Sequence, residues 1–287
     1  MQRFLLASLW LALASLPASA QTKLTPDKIY QRVLPSVMTL EVETRTGQHF
    51  VGTALVALED DIVLTAWHVI ADARSVWAVF ADGQKVKVTG CIDEDVVRDL
   101  ALLKLEKPMP NRRATVCLDP QPVGALAYVI GTPRGYDFSI SDGLISQIRR
   151  VDGFPQYQVS CPISPGNSGS PVLNDCGEVI GVASWTKTDA QNVSFAIPVG
   201  ELRRLNASAR LLSWEQFAAK AHPAPPTREV EPHTASRTKA ADTVVVGNLD
   251  DFKKRLRESP GRTVTVTLQT GAQTGTYSFI VPRHGLD

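Results

Sequence analysis

Residues 62–66 read Ile-Val-Leu-Thr-Ala and lead directly into Trp67-His68-Val69-Ile70. Their length and β-branched composition favour a short buried strand. Similar runs, each bounded by Gly, Pro, Asp or Asn, lie at Val37–Val42, Val51–Val56, Val76–Phe80, Lys85–Val88, Leu100–Leu105, Ala125–Ile130, Gln156–Val159, Val172–Leu173, Val179–Ser184 and Ser194–Ile197. About a dozen short strands at this spacing predict an all-β barrel or sandwich rather than alternating βα units.

The composition is that of a globular protein, with 44% hydrophobic and 21% charged residues among 287. Lys and Arg together number 30, against 29 Asp and Glu. Such a balance gives no basic surface for a nucleic acid or an anionic membrane, so neither is expected as a partner.

The N-terminus is typical of an exported protein. Arg3 is followed by an apolar run from Phe4 to Leu16 and by the small residues Ala18-Ser19-Ala20. This order predicts a signal peptide over residues 1–20, cleaved before Gln21. No later run reaches the roughly 18 apolar residues of a membrane span, so we expect a periplasmic or secreted protein.

Export favours disulfides between the four cysteines, for which three pairings are possible. We favour Cys91–Cys117 with Cys161–Cys176, because each pair falls within one half of the main domain. The cysteines and histidines lack the spacing of a zinc site, so no metal is predicted.

The C-terminal third changes in character. Two helices are predicted at the edges of the strand-rich region, near Pro26–Leu34 and over Gly200–Lys220, the second with a break near Asn206, so that residues 206–221 form a separate helical segment. Residues 222–241 hold several prolines and many charges and predict an exposed linker. Beyond it, residues 242–287 predict a small α+β module: a strand at Thr243–Val246, a helix from Asn248 to Ser259 and a hairpin.

Candidates for the groups that hydrolyse an amide are present. Ser168 lies in Ser164-Pro165-Gly166-Asn167-Ser168-Gly169-Ser170, where glycines on both sides allow a sharp turn. His68 follows the strand at 62–66, and Asp99 begins the run Leu100–Leu105. Each alone has a structural explanation: a loop serine, a half-buried histidine, a solvated acid. The order His68, Asp99, Ser168 is that of chymotrypsin-type triads, and Ser170 breaks the G-x-S-x-G motif of α/β-hydrolases.

Residues from about 28 to 200 resemble the trypsin-like protease domain of the HtrA/Deg family. The resemblance rests on Val33-Leu34-Pro35-Ser36-Val37, TAWHV at 65–69, DLALLKL at 99–105, Val129-Ile130-Gly131-Thr132-Pro133-Arg134-Gly135, Gly143-Leu144-Ile145-Ser146, PGNSGSP at 165–171, Gly177-Glu178-Val179-Ile180-Gly181 and Phe195-Ala196-Ile197-Pro198. It implies a chymotrypsin-like double β-barrel over residues 21–205.

The same resemblance implies the residue roles. Ser168 is the nucleophile, His68 the general base and Asp99 the acid that orients it, while the amides of Gly166 and Ser168 are the oxyanion donors. The substrate's primary pocket is formed by Pro162, Ile163, Ser184, Trp185 and Thr186. No acid lies among these five residues, so we expect a small or medium apolar residue there rather than Lys or Arg.

Four features depart from the family or from related proteases. Ser170 stands where a second glycine is usual, so its Cβ is expected to narrow or shape the space beside the oxyanion loop. Gly52-Thr53-Ala54-Leu55 replaces a glycine-serine-glycine run. Asn167 cannot form the ion pair that activates digestive zymogens. The module at 242–287 resembles only the second half of a PDZ domain, without the carboxylate-binding loop, which favours a structural or docking role.

The sequence therefore predicts an exported serine endopeptidase that acts on polypeptides, needs no cofactor and forms a homo-oligomer if it follows its family. The alternative is a protein of the same fold that binds peptides or acts as a chaperone with little or no turnover.

Overall fold

The computed structural model describes residues 22–132, 138–186, 193–223 and 228, and the strand residues 243–244, 263–270 and 273–280. It divides the chain into two units, Met1–Glu231 and Pro232–Asp287. The predicted signal peptide at 1–20 and the predicted helix from Asn248 to Ser259 lie outside the described residues.

The first unit contains two barrels, each of six strands. The first barrel consists of β1 (Val37–Thr44), β2 (His49–Val56), β3 (Ile62–Thr65), β4 (Ala73–Phe80), β5 (Lys85–Asp95) and β6 (Leu100–Leu105). Its strands follow the order β5-β4-β1-β2-β3-β6, and pairing of β5 with β6 closes it.

The second barrel has the closed order β10-β11-β12-β9-β8-β7. Its strands are β7 (Leu126–Gly131), β8 (Ser139–Val151), β9 (Phe154–Val159), β10 (Pro171–Leu173), β11 (Val179–Thr186) and β12 (Ser194–Pro198). The predicted all-β double barrel is therefore confirmed.

Strand β6 shows why the runs next to the predicted triad are apolar at nearly every position. Successive side chains of a strand point to opposite faces. Leu103 and Leu105 accordingly pack inside the first barrel. Leu100 and Leu102 join a second cluster, which also contains Ile130 of β7. Both faces of β6 are thus buried, one inside its own barrel and one between the two barrels.

The helices are short. They are α1 (Pro26–Val33), α2 (Trp67–Ile70) and α3 (Trp214–Ala219), with 3-10 turns at Leu34–Ser36 and Val199–Arg204. The helix predicted over residues 206–221 is present only as α3. Residues Leu212–Ser213 instead form strand β13, which pairs with β5, and Ser213 caps α3 through a reciprocal pair of hydrogen bonds with Gln216.

The predicted disulfides do not form, since all four cysteines are free. Cys91 lies in the core of the first barrel, whereas Cys117 packs against the core of the second. Cys161 is fully buried on the second barrel, and Cys176 lies in the turn after β10. The prediction assumed that closeness in sequence meant closeness in space. Burial raises the pKa of Cys161 to about 12, which keeps that thiol protonated near neutral pH.

The second unit contains a three-stranded sheet of β14 (Thr243–Val244), β15 (Thr263–Thr270) and β16 (Gln273–Ile280). Strand β14 is parallel to β15, and β15 is antiparallel to β16. The antiparallel pair is the predicted hairpin. The proposed boundaries of linker and module remain predictions.

Candidate active site

The loop that carries Ser168 begins with a tight turn. The Asn167 amide donates to the Ser164 carbonyl at 2.9 Å, and Gly166 has a φ of +100°. Pro165 followed by a glycine of positive φ is the arrangement of a type II turn. Such a turn exposes the amide of its glycine, so the local sequence Ser-Pro-Gly-Asn shapes this part of the loop.

The first barrel fixes the same loop from behind. The Thr53 amide, on β2, donates to the Ser168 carbonyl at 2.8 Å, and the Thr53 hydroxyl donates to the Gly166 carbonyl at 2.7 Å. Gly169 has a φ of +85°, and a Cβ on it would lie 2.1 Å from the Thr53 carbonyl oxygen. Only glycine fits after Ser168, because both the backbone conformation and the close approach of β2 exclude a side chain.

Two backbone amides remain available at this turn. Among the described residues, neither the Gly166 nor the Ser168 amide donates a hydrogen bond to another residue. The neighbouring Gly169 amide, by contrast, donates to the Ala183 carbonyl at 2.7 Å. Unpaired, fixed amides are what stabilisation of an oxyanion requires.

His68 and Asp99 are joined by two hydrogen bonds. Asp99 Oδ2 lies 2.8 Å from His68 Nδ1, and Asp99 Oδ1 accepts from the His68 backbone amide at 2.9 Å. His68 is the second residue of α2, which directly follows β3, and its side chain is 39% exposed. Asp99 is fully buried and has a φ of +57°. The left-handed conformation of a buried acid is uncommon, and it holds this carboxylate against the ring.

Asp99 Oδ2 has two further partners. The Ser184 hydroxyl donates to it, and Arg228 Nη2 lies 2.9 Å away. Burial raises the pKa of the Asp99 carboxyl. The hydrogen bonds from His68 and Ser184 and the electrostatic effects of His68 and Arg228 lower it by more, so the pKa lies below its ordinary value. Asp99 is therefore a carboxylate at neutral pH.

Ser168 reaches this pair through Ser184. Its hydroxyl makes a long contact of 3.5 Å with the Ser184 carbonyl oxygen, and the hydroxyl of Ser184 is the donor to Asp99. The three predicted residues thus lie around one side of β11. Hydrogen bonds of a catalytic serine are often long before substrate binds.

The residues predicted to bind substrate lie on facing segments. The Thr186 hydroxyl is 3.4 Å from the Ile163 carbonyl oxygen, and the Ser141 hydroxyl is 3.3 Å from that of Pro162. Trp185 stacks on Phe195 with ring centroids 4.0 Å apart. The first contact joins the segment before Ser168 to β11, the second joins it to β8, and the third packs β11 against β12.

The sequence predicts that Ser170 narrows or shapes the space beside the oxyanion loop, whereas in the structure its side chain lies against Gly131. It is fully buried, and its Oγ has no hydrogen-bond partner within the described part of the chain. A Cβ on Gly131 would lie 2.1 Å from this Oγ and 2.7 Å from Asn167 Oδ1. The hydroxyl therefore occupies space behind the loop that Gly131 leaves open, and the loop keeps its backbone hydrogen bonds.

Sequence reasoning missed several contributors. The sequence marks Thr53 only as a difference from the family's glycine-serine-glycine run and does not indicate its hydrogen bond to Gly166. It assigns Ser184 to substrate binding and does not indicate its hydrogen bond to Asp99. Ser194 pairs with Thr186 across β11 and β12, their hydroxyls 3.3 Å apart, and Arg228 lies in the predicted linker. The predicted strand Ser194–Ile197 is the sequence feature that could have placed Ser194 beside β11. Nothing in the local sequence indicates that Arg228 contacts Asp99.

In the described residues, no three His, Cys, Asp or Glu side chains come together as metal ligands. No helix among those residues has the length and hydropathy to cross a bilayer.

Comparison with known proteins agrees with this geometry. Residues 52–182 match the family described as a trypsin-like peptidase domain. A Pseudomonas fluorescens protein named "Probable periplasmic serine endoprotease DegP-like" is 32% identical over 180 residues, which cover 60% of this chain and 37% of that protein. A Synechocystis protein named as a candidate serine protease, HhoB, is 36% identical over 161 residues, covering 52% of this chain and 37% of its own length.

The fold has a solved counterpart in the Rv3671c protease of M. tuberculosis in its active form. The TM-score is 0.59 at 24% identity, and the match covers 67% of this chain and 90% of that one. The chain spans less than two fifths of the length of the two curated relatives.

Proposed function

We propose that the chain is an exported serine endopeptidase that cleaves polypeptides, on the premise that residues 52–182 match the trypsin-like peptidase domain and that the chain is similar to DegP-like serine proteases. The main support is the 2.8 Å contact between His68 Nδ1 and the buried Asp99 carboxylate, beside a serine loop with two unpaired amides.

In the proposed reaction, His68 takes the proton of the Ser168 hydroxyl as that oxygen attacks the substrate carbonyl. Asp99 holds the ring so that Nε2 is the accepting nitrogen and stabilises the imidazolium that forms. The Gly166 and Ser168 amides bind the oxyanion. His68 then returns the proton to the leaving amine, and water releases the acyl group from Ser168 by the same steps.

The proposed location outside the cytoplasm rests on the signal-like residues 1–20. The name of the Pseudomonas relative, which includes "periplasmic", is consistent with it.

The proposal is tested by treating the purified chain with a fluorophosphonate probe and, separately, with casein. We expect labelling of Ser168 and fragmentation of casein, because only an activated serine reacts readily with the probe. A folded chain that binds casein but neither reacts with the probe nor cleaves would instead have the peptide-binding function.

Replacing Thr53 by Val is expected to lower kcat by roughly 10- to 100-fold with little change in KM, because the Gly166 carbonyl loses its anchor and the oxyanion amides shift. The buried carbonyl left without a donor also lowers the free energy of unfolding by about 1–3 kcal/mol. Peptide kinetics and a thermal melt measure both effects. Thr53→Ser keeps the hydroxyl and should restore kcat; equal loss in both variants would contradict a positioning role.

Substrate preference provides another prediction. Ile163, Thr186 and Ser194 offer no carboxylate to pair with a basic side chain. We expect peptides with Ala or Val before the scissile bond to be cleaved about 100-fold better, in kcat/KM, than matched peptides with Lys, because burial of an unpaired charge is costly. Faster cleavage of the Lys peptide would show that an acid elsewhere reaches the pocket.

A further inference from the structure

A guanidinium group, that of Arg228, lies against the carboxylate of the proposed triad. Arg228 Nη2 is 2.9 Å from Asp99 Oδ2, the same oxygen that contacts His68 Nδ1 at 2.8 Å. The Arg228 side chain is 20% exposed and that of Asp99 is fully buried. Ion pairs buried to this degree are screened little by solvent. The contact is therefore unlike the exposed ion pairs elsewhere on the barrels, such as Lys85 with Glu41.

Lys220 and His222, which follow α3, are held near β5 and α2 of the first barrel. After α3, Lys220 pairs with the Glu94 carboxylate, whose side chain is 3% exposed. The His222 ring lies 5.8 Å from that of Trp67, the residue directly before His68, and His222 Nε2 is 3.1 Å from the Phe217 carbonyl oxygen. These three contacts place Lys220 and His222 on the side of the first barrel where Asp99 lies.

The contact has unfavourable features of its own. Arg228 has a φ of +60°, and its Nη1 is buried without a hydrogen-bond partner among the described residues. A left-handed backbone and an unpaired buried donor both cost free energy. An arrangement of this kind is one that can be released without a large loss of stability.

We propose that Arg228 acts as an intramolecular brake on the triad. This inference rests on the proposed peptidase function. Asp99 promotes attack by Ser168 because its negative charge stabilises the imidazolium of His68. A guanidinium on the same carboxylate oxygen offsets that charge and competes with His68 Nδ1 for its lone pairs. Withdrawal of the Arg228 side chain from Asp99 removes the guanidinium and restores the full effect of the Asp99 charge on His68.

The test uses the full mature chain with Arg228→Gln, which removes the charge but keeps a polar side chain. We expect the rate of fluorophosphonate labelling of Ser168, and kcat for a peptide, to rise by at least about tenfold, because a unit charge this close interacts by more than the free energy of a tenfold rate change at the effective dielectric of a protein. KM and the melting temperature should change little. Arg228→Lys keeps the charge and should stay near the wild-type rate. Arg203→Gln, which removes an exposed charge from the 3-10 turn at Val199–Arg204, is the matched control.

The outcomes separate the brake from the peptidase function. Equal or slower labelling in Arg228→Gln, with wild-type labelling intact, would overturn the brake alone. Absence of labelling in both chains would overturn the peptidase function and the brake with it. In a Ser168→Ala background, where no turnover is needed, the low-field proton resonance of the His68–Asp99 hydrogen bond should shift on Arg228→Gln and not on Arg203→Gln. An unshifted resonance would show that Arg228 does not reach Asp99.

Discussion

Ser168→Ala is expected to lower kcat for peptide hydrolysis by about six orders of magnitude, the scale at which loss of a nucleophile equals loss of a whole triad. The fold should be unaffected, because within the described part of the chain the Ser168 hydroxyl makes one hydrogen bond, the long contact with the Ser184 carbonyl. The Ser168 amide remains, so substrate binding should persist. Peptide kinetics, probe labelling and a thermal melt measure these effects.

A matched control lies two residues away in the same loop. Ser170 is also a serine flanked by the loop turn, but it is fully buried behind the loop against Gly131. Ser170→Ala removes an unpartnered hydroxyl, so we expect labelling within about threefold of wild type. If Ser168→Ala retained hydrolysis while Ser170→Ala lost it, the nucleophile would be Ser170.

Asp99→Asn is expected to lower kcat by roughly four orders of magnitude, the size known for this change in a serine protease triad. The Asn amide group that replaces Oδ2 donates hydrogen bonds, so it can face His68 Nδ1 only when that nitrogen carries no proton. The proton then resides on Nε2, and the ring cannot accept the proton of Ser168. Kinetics of one peptide and a thermal melt measure the effect.

Asp93→Asn is the control for this change. The Asp93 carboxylate accepts from the Glu94 amide at 3.0 Å and from the Asn206 amide at 2.7 Å, and it makes no contact with His68. Asp95→Asn breaks a pair with Arg98 and should also leave kcat within about twofold. Similar, mild losses in all three variants would mean that Asp99 is not the acid of the triad. A collapse of the melt in Asp99→Asn alone would assign it a structural role.

Much of the proposed site follows from local sequence. The strand at 62–65 is followed by Ala66, which caps α2, so His68 lies in the first turn of that helix. The run after Asp99 forms β6 and pairs with β3, so Leu102 faces Leu64. This register brings Asp99 and His68 together. The sequence predicted that His68 and Asp99 act together from their order with Ser168 and from the family resemblance, whereas the register is seen only in the structure.

The disulfide pairs and the helix at 206–221 could not be decided in this way. Cys91 lies in the core of the first barrel and Cys117 packs against the core of the second, which no spacing along the chain reveals. Leu212 and Ser213 are compatible with a helix by their local pattern. They form a strand because β5 offers them an unpaired edge, so tertiary pairing outweighs local propensity.

The sequence by itself predicted an all-β barrel or sandwich and a sharp turn at the Gly-rich loop, because strand patterning, turn residues and glycine conformation act over a few neighbouring positions. Its resemblance to the HtrA/Deg family implied the double barrel and the roles of His68, Asp99 and Ser168. Only the tertiary structure decided what surrounds them. Thr53 fixes the Gly166 carbonyl across the two barrels, Gly131 accommodates Ser170, and Ser184 and Arg228 share the carboxylate oxygen of Asp99. These contacts join residues far apart along the chain, and their existence depends on strand register and close packing, which are set only when both barrels have assembled.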